Sequence, residues 1–175
     1  ESLGAMMTRF FGVGAAVAAA TTVFHSMKSQ VIEAAQANLK LEAMLKATGA
    51  TSGFTATQLD EFAVSMSRST NIAEVAIKQA MSVLMTFRGV GGDSFKSVIG
   101  LAADYAALSG GDLVSSVRLF GRALEDPISG LSILARILGR EVRREHKQYI
   151  EDLMAAGRLE EARGEILKLL KVVKK

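Results

Sequence analysis

An all-α fold is predicted by the residue mix, the apolar spacing and the run of cap and glycine signals that punctuate the chain. Hydrophobic residues fill 49% of the 175 positions, yet aromatics reach only 6%, Trp is absent and the one proline is Pro127. Ala, Leu, Met, Lys, Arg and Glu dominate, a set that forms helices readily and supplies few of the residues a β-sheet prefers. Apolar residues recur at intervals of three and four, the repeat of a helix face. The expected architecture is a long N-terminal helical arm with coiled-coil spacing, residues 1–48, followed by a compact bundle of six to seven short helices over residues 49–175. Straight, such an arm would measure about 70 Å, longer than a domain this size is wide, so part of it must project or pair with another chain.

The arm opens with residues 3–24, LGAMMTRFFGVGAAVAAATTVF, the most apolar stretch present. The run between Arg9 and His25 holds 15 residues, whereas a membrane-spanning helix needs about 20. Ala and Gly supply much of it and contribute little to insertion, and Arg9 in hydrocarbon would be costly. A secretory leader would carry a longer-chain apolar core and a cleavage site, and here the helix pattern continues unbroken. Phe10, Phe11, Val13, Val17 and Phe24 are therefore expected to pack against protein inside an assembly. Contact with a membrane is the alternative. Glu1 in place of an initiator Met reads as a chain processed or cut from something longer.

Beyond this run the periodicity sharpens. Met27, Val31, Ala34, Asn38, Leu41 and Leu45 are spaced 4, 3, 4, 3, 4, the seam of a coiled coil, while Lys28, Gln30, Glu33, Gln36, Lys40, Glu42 and Lys46 stay off it. Asn38 on such a seam fixes register and strand number at some cost in stability. The expectation is self-association, as a trimer; the competing reading packs the same stripe against the chain's own downstream helices.

Thr48-Gly49 closes the arm, Gly being favoured just past a helix end. Thr55-Ala56-Thr57-Gln58 has the form of a capping box and opens a helix to about Arg68. Asn71-Ile72-Ala73-Glu74 reads as a second box, opening a helix to about Phe87. A loop at 88–92 precedes a helix capped by Asp93 and running to about Leu108. Ser109-Gly110-Gly111 leads to Asp112, the cap of a helix to about Leu124. Asp126 caps the next, with Pro127 at the first helical position, where its missing N–H costs nothing. That helix runs to about Leu138, and two more follow at roughly 141–156 and 158–171, parted by Gly157.

Catalysis needs converging titratable groups, and none is visible. His25 and His146 lie far apart, the first at the end of an apolar run and the second on a polar helix face, neither with an acidic partner at metal-ligand spacing. Asp60-Glu61 and Glu160-Glu161 are adjacent pairs whose side chains diverge on a helix and cannot share a proton. The glycine loop at 88–92 lacks the spacing of a phosphate cradle, and Asp93 would repel a phosphate. Ser132 has no visible base. With no cysteine, disulfides, thiolate chemistry and cysteine-bound metal are excluded. No enzyme activity, cofactor or metal is expected.

Charge is unevenly placed. Residues 136–175 hold 11 Lys/Arg against 7 Asp/Glu, and residues 1–135 hold 10 against 11, for a net +3. The basic residues alternate with Glu at helical spacing and lack interleaved aromatics on which bases could stack, so a solvated face is read and no specific nucleic acid is expected. No helix-turn-helix recognition face is present.

Leu41 to Ile133 resembles the core region of phage and prophage tail tape measure proteins. The likeness rests on LEAMLKATGATSGFTATQLDEFAVSMSRSTNIAEVAIKQAMSVLMTF, then GDSFKSVIGLAADYAAL, then GDLVSSVRLFGRALEDPISGLSIL. The order of motifs is shared: an ATG-like turn, a TxxQL helix, an SxxTxI segment, an AxxxLxTF helix, a GDxF loop, a DL helix and an ALxDPxxGL turn, the last being the most specific. After Leu134 the likeness loosens through 137–142, then returns in IEDLMAAGRLEEARGEILKLL. The resemblance implies a structural virion protein. Such proteins lie in several copies inside the tail tube, set its length, engage tail-tube and tail-tip or baseplate proteins, and leave ahead of the DNA during ejection. It implies assembly in the host cytoplasm, residence in the phage tail, and for some members entry of apolar segments into the host membrane. No catalytic motif is carried over.

Overall fold

The computed structural model describes residues 28–49, 52–87, 89–139 and 142–171, and among them every regular element is a helix. Residues 28–47 are helical and form α1. The chain divides into two units, Glu1–Asn38 and Leu39–Lys175. In the first unit, residues 28–38 are helical, with Val31 and Asn38 exposed and Ala34 half-buried. The second unit takes in residues 39–48, which the sequence reading gave to the arm.

In the second unit α1 stops at Gly49, whose φ of 60° suits glycine, and the Thr48 hydroxyl donates to the Met44 carbonyl at 2.8 Å. Seven helices follow: α2 (Ala56–Ser69), α3 (Glu74–Leu84), α4 (Asp93–Ser109), α5 (Leu113–Glu125), α6 (Pro127–Leu138), α7 (Arg144–Ala155) and α8 (Leu159–Lys171).

Three expected caps are present. Thr55 and Gln58 form the reciprocal box at the start of α2, with Gln58 N–H donating to Thr55 Oγ1 at 3.3 Å and Thr55 N–H to Gln58 Oε1 at 3.0 Å. Asp112 accepts the Ser115 N–H at 2.9 Å. Asp126 accepts the N–H groups of Ile128 and Ser129 at 3.2 and 3.3 Å, behind Pro127 at the helix start.

Two expected caps are not. α3 begins at Glu74 with Ala73 in the cap position and no side-chain cap. The Thr70 hydroxyl instead accepts the Ile72 N–H at 3.4 Å, so the polar residues of this segment serve the turn before the helix. α4 begins at Asp93, with Gly92 in the cap position at φ 55°. The Gly92 N–H donates to the Ser52 carbonyl at 2.8 Å, a long-range bond that sets the helix start where local sequence does not.

The core is organised on α5, which packs against α3, α4, α6 and α8. Val117, Phe120 and Leu124 are buried along it, in one cluster with Leu59, Ile77, Leu84, Phe95, Ile99, Leu134, Ile150 and Ile166. Burying a large apolar side chain contributes roughly 1.5–3 kcal/mol, so this cluster is the main source of stability. α6 lies unusually close to α5. A methyl group placed on Gly130 would sit 2.4 Å from the Ala123 carbonyl oxygen, so only glycine permits this crossing.

Candidate interaction surfaces

The charged groups of the second unit sort into internal ties and exposed rims. Lys78 on α3 is buried to 5% side-chain exposure and pairs with Asp60 of α2 and with Glu74 at 2.6 Å. Burial pushes its ammonium down, but hydrogen bonds and charge from Asp60 and Glu74 outweigh that and hold it above its ordinary value. Asp60, expected as plain surface charge, is thus half of a tie between α2 and α3.

Arg163 on α8 is buried, donates from Nε to the Leu124 carbonyl at 3.0 Å and pairs with Glu160. It satisfies one of the carbonyls that every helix C-terminus leaves without an internal partner. A methyl on Gly89 would fall within 2.4 Å of the guanidinium atoms, so Gly89 makes room for that side chain. Glu161 bonds Arg158 at 2.5 Å, so the two adjacent glutamates serve different arginines.

His146 has an acidic partner far from it in sequence. Its Nδ1 lies 3.0 Å from Oε1 of Glu165, a buried carboxylate on α8 whose other oxygen accepts from Lys168 at 3.1 Å. The pair joins α7 to α8 across 19 residues of sequence. The available signal was an acid on the apolar face of α8, among Ala162, Ile166 and Leu169.

The seam residues separate. Leu41 and Leu45 are buried, 3% and 9% exposed, in the core of their own unit, so the competing single-chain reading applies to them. Val31 is 68% exposed. Met27 and the segment carrying Phe10, Phe11, Val13, Val17 and Phe24 lie outside the described residues.

Two of the grooves in the surface of the second unit have partly apolar linings. One, of about 580 Å³, runs between residues 70–76 and 103–113, with Ile72, Ala76, Ala103 and Leu113 against Asp104 and Asp112. The other, of about 420 Å³, lies between α6 and α7. Ser132, on its edge, spends its hydroxyl on the Ser129 carbonyl at 2.7 Å. Among the described residues no group of three acidic or histidine side chains is placed to hold a metal, and no helix is long and apolar enough to cross a membrane.

The buried Lys78 of α3 is tied to Asp60 of α2, and both grooves open to solvent. Among the described residues the molecule is an all-helical bundle. The chain belongs to the prophage tail length tape measure protein family, whose model matches residues 1–151. It is a phage tail component of a structural family. No curated protein and no solved structure matched. The match ends inside α7, so Glu165 and Arg163 on α8 lie beyond it.

Proposed function

We propose that the chain is a segment of the ruler that sets tail length, organises assembly of the tail tube on the tail tip or baseplate, and leaves during DNA ejection. The family match that runs through residues 1–151 carries this reading. Supporting it, Val31 and Asn38 lie exposed on a helix whose spacing suits a coiled coil. Sister copies, as a trimer, are the partners for that stripe; tail-tube and tail-tip proteins are partners for the bundle. Assembly takes place in the host cytoplasm and the product resides in the virion.

In this reading the apolar segment packs against sister copies within the tube. The substitutions Val13→Asp and Val17→Asp together then abolish tail assembly, scored by electron microscopy of induced lysates. Normal tails that fail only at genome delivery would instead support the alternative, a membrane-inserting helical protein that helps form the delivery channel. Sedimentation of the isolated chain is expected to show a trimer, and a monomer at high micromolar concentration counts against a self-sufficient seam.

A further inference from the structure

The groove between residues 70–76 and 103–113 combines a mostly apolar lining with charge of one sign. Ile72 and Ala76 line it from one side, Ala103 and Leu113 from the other. Among the described residues its lining holds two charged groups, Asp104 and Asp112, and both are acids. Asp104 is half-buried on α4, and Asp112 is exposed ahead of α5. Hydrogen bonds from Ser115, side chain first and then backbone, hold the Asp112 carboxyl below its ordinary value, so it is ionised at neutral pH. The N-terminal end of α5 offsets part of that charge. In the other direction, Ala106 and Ala107 bring the negative C-terminal end of α4 to the groove, and no basic residue stands in that last turn. The volume of about 580 Å³ falls within the usual range of about 300–1,000 Å³ for ligand pockets, a size that seats a few side chains.

We infer that this groove docks a short basic segment of a partner protein, its aliphatic side chains against Ile72, Ala76, Ala103 and Leu113 and its Lys or Arg side chains on Asp104 and Asp112. The sign of the charge chooses the occupant. Two carboxylates repel nucleic acid and anionic lipid surfaces, and a bare cation would leave the apolar lining unused. Like charges facing one groove attract a partner of opposite sign and turn away acidic ones, which gives specificity more than raw affinity. This inference uses only the surface of the second unit and is independent of the length-setting reading.

The test titrates the full chain with three labelled peptides read by fluorescence anisotropy. The first carries two adjacent Leu flanked on both sides by Lys. The second has Glu for each Lys, and the third has Ser for each Leu. The Lys–Leu peptide is expected to bind, more weakly as salt rises, and to shift the methyl resonances of Ile72 and Leu113. The other two should bind about tenfold more weakly or less. The double variant Asp104→Asn, Asp112→Asn keeps the α5 cap, because Asn caps a helix as well as Asp does. It is expected to lose about fivefold in affinity for the Lys–Leu peptide at low salt, the size of two exposed ion pairs. Ala76→Leu fills the groove without touching its charge and should weaken binding at every salt concentration. Circular dichroism confirms that each variant stays folded. Equal affinity for the Lys–Leu and Glu peptides, no binding of the Lys–Leu peptide, or binding that the double Asn variant leaves intact would each overturn the inference. So would loss of the chain's own self-association in Ala76→Leu, seen by sedimentation, because that result seats a second copy in the groove.

Discussion

The α5–α6 corner and the α7–α8 hairpin are both joins between consecutive helices, but they are specified at different ranges. At the corner the determinants lie within a few residues. Asp126 ends α5 and caps α6, Pro127 presets the first turn, and Gly130 lets α6 lie on Ala123. At the hairpin the turn is local, with Gly157 at φ 72° and Arg158 N–H donating to the Leu153 carbonyl at 2.8 Å. What holds its helices in place is not. His146 reaches Glu165, and Arg163 reaches back to Leu124, 39 residues away. A local join is legible in sequence, and a long-range one is not.

Substitutions can break this contrast at measurable cost. Gly130→Ala has the largest expected effect. The new methyl meets backbone that cannot rotate away, so the two helices must part, at about 3 kcal/mol, the upper end of ordinary overpacking. Chemical denaturation of the purified chain measures it. A loss under about 0.5 kcal/mol, the range of an ordinary surface change, would show that the crossing is not tight. Arg163→Met comes next. It strands the buried Leu124 carbonyl and is expected to cost about 2 kcal/mol, the penalty for an unsatisfied buried acceptor. Hydrogen exchange should show the effect in both α8 and the end of α5; a change confined to α8 would mean that the bond does not couple them.

Asp126→Ala should cost about 1 kcal/mol as a lost helix cap. If melting is unchanged, the cap is dispensable and Pro127 alone fixes the helix start. The smallest expected effect is on pH dependence. Hydrogen bonding from Ser115 and Ser129, side chain first and then backbone N–H, holds the Asp112 and Asp126 carboxyls below their usual 3.8. A depressed folded pKa contributes stability that is present above the unfolded value and lost as pH falls through the folded one. Stability of the chain therefore drops below about pH 4, and the double variant Asp112→Ala, Asp126→Ala should show a shallower acid limb in a titrated melt. An identical limb would place that acid sensitivity elsewhere.

The same division of range explains which parts of the fold could be read in advance. The helical class and the caps at Thr55, Asp112 and Asp126 are written within three residues of each helix start. Asn71 and Asp93 misled because the turn at Thr70 and the bond from Gly92 to Ser52 decide those starts. The 4-3-4 stripe identified an apolar face on α1 but not its occupant, since an intramolecular core and a sister helix impose the same period. Leu41 and Leu45 went to the core. The α6–α7 groove, whose lining comes from α6, Val142 and α7, had no local signature.

The ruler claim is tested most directly by tail length. Inserting 28 residues of in-register heptads between Gln36 and Ala37 adds about 42 Å of helix at 1.5 Å per residue. Tails purified from a phage carrying that insertion in this protein should be longer by that amount in electron micrographs, with an unchanged tube diameter. Tails of the original length, assembled normally around the enlarged chain, would contradict the account.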